Sequence, residues 1–284
     1  MQTIVLMRTT GIIRYFAPLL VMGLLFILVS CGGGRQEGET RAITDNVEGT
    51  ERDVVEIQGL EEYPIPTSVE VVEMLQRAGA PYIIGISNPV ANVDRYFTEK
   101  SKALNLGVYG ADLSYAGTYE MQQDIRKYLH VIRQLIEDLN ISTTFNQRFV
   151  ERVERNLNDK DSLINIVSES FYDTYLFLVQ NRRDDLSLLV ITGSWIEGTY
   201  LTAQIAIGAR DNKEITDIIL AQEEPLEKLL VLFEDHEDDE LINSLFDDLK
   251  EIYQFIIDQQ APMSDSALDS FAEKIENLRT RVTS

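Results

Sequence analysis

One cysteine, two histidines and one tryptophan are all that the 284 residues contain of these types. A single cysteine, Cys31, excludes any intrachain disulfide. Two histidines are few for metal hydrolysis, and Zn²⁺ would want more His or Cys around it. Positive charge is scarce too: 25 Lys and Arg against 47 Asp and Glu leave a net charge of −22. Such a surface repels phosphate backbones, which argues against nucleic acid as a partner. The catalytic signatures Gly-x-Ser-x-Gly and His-Glu-x-x-His are both missing. No nucleophile–base arrangement is present, so an enzyme has no motif to stand on, and no cofactor or metal is implied. Apolar–polar alternation is confined to a short patch, Val54, Val55 and Ile57, from which no sheet is expected.

What the chain does have is an address. Arg8 and Arg14 precede Tyr15–Val29, fifteen residues without a charge. That is long for a signal-peptide core but short of the roughly 20 residues that span a bilayer. The run closes on Leu28-Val29-Ser30-Cys31, followed at once by Gly32, Gly33 and Gly34. This segment resembles the lipobox of bacterial lipoproteins. The resemblance, which covers only the first thirty-odd residues, implies cleavage before Cys31. It also implies a thioether link from Cys31 to diacylglycerol and acylation of the new amine. Several acyl chains hold a protein on a membrane far more firmly than one. Gly32, in place of an Asp, resembles lipoproteins sorted to the outer membrane, facing either the periplasm or the exterior. Loss of residues 1–30 removes two arginines and no acids, so the mature charge falls to −24.

Three divisions follow. Residues 1–30 read as a removed signal peptide, 31–64 as a lipidated flexible tether, and 65–284 as an acidic all-helical domain. A tether of that length has a root-mean-square reach of about 30 Å. From Thr67 onward the apolar period is helical, and the expectation is an all-α bundle or short superhelix of about nine or ten helices. Ser68 is expected to cap a helix to Ala78, and Asn92 a second ending near Gly107. A long helix is expected over Ala111–Leu139, with the stripe Ile125, Leu129, Ile132, Leu135, Ile136 and Leu139. Further helices are expected over 143–157, 161–181, 185–208, 213–223, 225–235, 239–259 and 266–281. Residues 163–181 and 241–259 are alike (Leu163-Ile164-Asn165 recurs as Leu241-Ile242-Asn243), which an internal duplication would explain. Imelysin-like helical lipoproteins share export and a duplicated bundle, but their His-x-x-Glu motif is missing: Arg133 stands three residues after His130, and Asp239 three after His236.

Between Asp185 and Arg210 the only charge is Glu197. Apolar residues on every side predict a central helix, with Gly193, Ser194 and Gly198 admitting a close neighbour. A buried carboxylate must be protonated, hydrogen-bonded, paired with a base or wetted by a cavity. Glu197, with Trp195 and Tyr200 nearby, is therefore a candidate ligand or cation contact, while a structural bond to a side chain of another helix is the plainer reading. Tyr109, Asp112 and Tyr115, in a glycine-rich helix start, could line a pocket mouth or fill the core. The acid-rich run Glu234–Glu240 around His236 lacks the spacing of a calcium loop and reads as helix capping. Two functions of different class follow. One is a lipid-anchored binding or structural module of the cell envelope, docking an envelope protein partner. The other is a small-molecule or cation binder with a pocket around Glu197.

Overall fold

The computed structural model describes residues 68–284 apart from 142, 235, 237 and 238. The expected signal peptide, Cys31, the tether and the Val54–Ile57 patch lie outside the described residues. Among the described residues ten α-helices follow one another: α1 (Ser68–Arg77), α2 (Glu99–Thr118), α3 (Gln122–Asp138), α4 (Thr143–Arg155), α5 (Lys160–Gln180), α6 (Asp184–Gly208), α7 (Lys213–Leu220), α8 (Glu223–Phe233), α9 (Glu240–Ile257) and α10 (Asp265–Thr283). A 3-10 helix, Val90–Arg95, stands between α1 and α2, and there is no strand among the described residues. The chain is all-α, as its periodicity predicts. No helix among the described residues is long and apolar enough to cross a membrane.

Helix α6 is the axis of the bundle. Its sides are covered by α1, α2, α5, α7, α8 and α10, which is why it needs apolar or small residues all round. Its most extensive partner is α2. The two backbones touch: a Cβ on Gly107 would lie 2.0 Å from Val190 O, and one on Gly193 would lie 1.8 Å from Leu104 O. α3 buries all of its predicted stripe, from Ile125 through Leu139, against α2. Short polar side chains start the helices: Thr98 and Ser101 form a reciprocal cap on α2, Asp159 caps α5, Asn212 caps α7, Asp239 caps α9 and Ser264 caps α10.

Two boundaries differ from the sequence reading. The expected helices 92–107 and 111–139 are instead the 3-10 helix, then α2 running unbroken through Gly107 and Gly110, then α3. The glycines are not stops. Each lies against another element, Gly110 so closely that a Cβ would sit 1.9 Å from Cζ of Phe171. α2 stops further on, where Glu120 takes a left-handed φ of 56° and Met121 N–H returns to Ala116 O at 2.8 Å. The internal likeness is also partial. Val167 and Leu245 are both buried, as are Leu178 and Ile256, but Leu163 is 2% exposed and its counterpart Leu241 is 38% exposed. α5 packs mainly on α2 and α6, whereas α9 packs mainly on α8.

Candidate functional site

Three ionisable side chains meet inside the bundle. Glu197 of α6 and Asp112 of α2 are both completely buried. Arg279 reaches them from α10, its side chain 12% exposed. Its Nε and Nη2 donate to Glu197 Oε2 and Oε1 at 2.9 and 3.0 Å, a two-pronged ion pair with fixed geometry. The guanidinium lies over the Tyr200 ring, its Cζ 4.4 Å from the ring centre. Asp112 Oδ2 accepts the Asn88 N–H at 3.1 Å, and its carboxyl lies in hydrogen-bonding reach of Glu197. Asp112 Oδ1 makes no hydrogen bond of good geometry among the described residues, although the Ser87 side chain lies beside the carboxyl and lowers it against burial.

The charge count decides the protonation. Two carboxylates share one guanidinium, so full ionisation would leave a net negative charge in a low-dielectric interior. Burial holds the Asp112 carboxyl well above the usual aspartate range, and the neighbouring Glu197 raises it further. Burial also raises Glu197, and the net shift stays upward although Arg279 and the neighbouring Asp112 oppose it. For Arg279, burial alone would lower the guanidinium; the Glu197 charge outweighs it and the net shift is upward. The cluster therefore favours the protonated form of Asp112 beside a Glu197 carboxylate that is paired with Arg279.

Around it runs a shell of hydroxyl and amide groups. Tyr96 Oη accepts from Asn88 Nδ2 at 3.0 Å and faces Thr283 O at 3.4 Å. Tyr109 Oη donates to Pro89 O at 2.9 Å. Tyr115 Oη accepts the Ile83 N–H at 2.7 Å. Burial raises all three phenols, so none is a ready base. Trp195 is buried on α6, and its Nε1 has no hydrogen-bond partner among the described residues.

The structure thus gathers Glu197, Asp112, Tyr109 and Tyr200 into one neighbourhood. Tyr115 belongs instead to the row of tyrosines that fastens residues 80–89 onto α2. Arg279, Asn88 and Tyr96 were missed from sequence. Arg279 had a signal: it stands four residues after Ile275 and three before Val282, on the buried stripe of α10. Asn88 and Tyr96, in an irregular segment, had none. Of the other candidates, His130 is exposed, and His236 Nδ1 lies 2.6 Å from Asp185 Oδ1. Among the described residues no group of acidic, His or Cys side chains could hold a metal ion.

Two clefts stand out elsewhere. One is small and apolar, under Phe171 between α5 and α2; the other is polar, between residues 98–100 and 182–186. Neither is lined by Asp112, Glu197 or Arg279. Comparison with family models, characterised proteins and solved structures returned no match to this chain.

Proposed function

We propose that this is a lipid-anchored cell-envelope protein whose acidic helical domain is a binding or structural module for an envelope partner. The observation that carries it is the run Leu28-Val29-Ser30-Cys31 after an uncharged segment and before three glycines. The state of Glu197 supports a structural over a ligand-binding role for the core: its counter-charge is Arg279, and both carboxylate oxygens are occupied. A pocket around Glu197 would have to displace that pair.

Cys31→Ser is the test of the anchor. Metabolic labelling with a fatty acid is expected to disappear and the protein to move from the membrane fraction to the soluble one. Unchanged labelling refutes the assignment. The partner is tested by cross-linking the intact acylated protein in its own membrane; repeated recovery as an unlinked monomer counts against a docking module.

A further inference from the structure

Residues 81–97 form a strap whose first half, to Pro89, is laid along one face of α2 and whose 3-10 helix, Val90–Arg95, lies against α3. Its inner edge is tied down at regular intervals. Tyr119 Oη donates to Ala80 O at 2.7 Å, just before the strap begins. Tyr115, Asp112 and Tyr109 then bond to Ile83, Asn88 and Pro89 in turn. These α2 residues recur every three or four positions and so share a face. Tyr82, Ile83, Ile86, Val90 and Val93 pack inward against the core.

The outer edge is different. Ile84 is 81% exposed and Phe97 85% exposed, the two most exposed large apolar side chains among the described residues. Pro81, Gly85, Pro89 and Ala91 lie on the same strap, also exposed, as are Asp94 and Arg95 close to Phe97. Phe97 precedes the Thr98 cap of α2, where an apolar side chain often packs back on the fourth helical residue. That residue is Lys102, which pairs with Asp138 instead, so local packing does not account for Phe97. The charge pattern is equally uneven. From 74 to 93 there is no acid and only one charge, Arg77, the longest acid-free run between Ser68 and Ser284.

We propose that the outer edge of this strap is the bilayer-facing surface of the domain, with Ile84 and Phe97 inserting at the headgroup–acyl boundary. The inference rests on the lipid-anchor reading above. An acidic protein held at a membrane is repelled by anionic headgroups over most of its surface, and the acid-free part of the strap, residues 81–93 around Ile84, escapes this, while Phe97 stands beyond one exposed acid and one exposed base, Asp94 and Arg95. The chain from the acylated Cys31 joins the described domain at Ser68, and the ten residues of α1 separate it from the strap by about 15 Å. A tether of that reach keeps the strap at high effective concentration near the bilayer, so two inserted side chains suffice where free protein would bind weakly. The strap's hydrogen bonds to α2 present those side chains already in place.

Nitroxide labelling tests this on the acylated, full-length chain. Acylation consumes the only native thiol, so Ile84→Cys, Phe97→Cys and, as control on α8, Val231→Cys each offer one labelling site. The variants are reconstituted in phosphatidylcholine vesicles. Nitroxides at 84 and 97 are expected to be about threefold or more less accessible to a water-soluble nickel relaxant than the one at 231, and more accessible to oxygen. Equal nickel accessibility at all three sites overturns the proposal. So does protection of 84 and 97 without lipid accompanied by dipolar broadening, which would assign the strap to a second copy. Failure of the anchor reads differently: unlabelled parent protein would carry a reactive Cys31 thiol and fail to float with vesicles, overturning both readings.

Discussion

Asp112 is the residue whose state is least expected from its type. It is an aspartic acid at the centre of a protein with a large excess of acids, yet burial and the neighbouring Glu197 push it toward its neutral form beside the single Arg279 charge. Asp112→Asn keeps the shape, the acceptor for Asn88 N–H and a donor toward Glu197. It is expected to raise stability at neutral pH by about 1 kcal/mol or more, since the unfolded aspartate no longer gives up ionisation on folding. Glu197→Gln is expected to cost only about 1–2 kcal/mol, because Asp112 can ionise in its place and pair with Arg279. The double variant Asp112→Asn, Glu197→Gln strands the guanidinium and is expected to cost about 3–5 kcal/mol. Denaturant titration of the four proteins checks the sign of this coupling. Additive losses would show that Asp112 is no alternative counter-ion.

At the scale of elements, the bundle turns on the contact between α2 and α6. Gly193 and Gly198 lie on the same helix, five residues apart, with opposite tolerance. A Cβ at 193 would strike the Leu104 carbonyl, a backbone atom that moves only with its helix, whereas one at 198 meets Ser68 Cβ at 3.5 Å, an ordinary contact. Gly193→Ala is expected to destabilise by about 3 kcal/mol. Gly198→Ala is expected to be neutral or to stabilise by up to about 1 kcal/mol through helix propensity. Thermal melts of the two variants distinguish them. Sequence pattern carried most of this level: the α6 boundaries, its central position and the buried stripe of α3 all follow from period and charge spacing. It failed at Gly107 and Gly110, because a glycine that ends a helix and one that admits a neighbouring backbone look alike until the neighbour is known. Arg279 was half legible, by its place on an apolar stripe. Asn88 and Tyr96 were not, because irregular backbone has no period to read.

For the whole molecule, the ionisations pull in opposite directions with pH. Hydrogen bonds from Lys127 and Tyr82 lower Asp124, the cap bonds to Ser162 lower Asp159, and Lys274 lowers Glu251. Their folded values lie below the unfolded ones, so what they contribute is lost as pH falls through the folded values. Asp112 has the reverse sign, as does its neighbour Glu197. The folded value of Asp112 is raised, so its contribution is complete below about pH 4, the unfolded aspartate range, and declines as pH rises from there. Stability is expected to peak at mildly acidic pH and to fall on the alkaline side. Asp112→Asn is expected to flatten the alkaline side and leave the acid side unchanged, as melting temperatures from about pH 4 to 9 would record. An unchanged alkaline slope in that variant would place the titrating group elsewhere.

The division between sequence and structure follows the range of the interactions. Helical class, the central place of α6, the stripe of α3 and the acidic surface are properties of residues near in sequence, where side-chain spacing and charge act directly. The lipobox reading of Cys31 is likewise a local pattern, and it rests on sequence alone. Only the tertiary structure decided that α2 passes through its glycines, that Glu197 meets Arg279 from 82 residues away, and that Asp112 is pushed toward its neutral form beside them. The same is true of Ile84 and Phe97, which look like core residues until the strap is seen tied to α2 by its inner edge. Each of these depends on what a distant segment places within a few ångströms, and no local period encodes that.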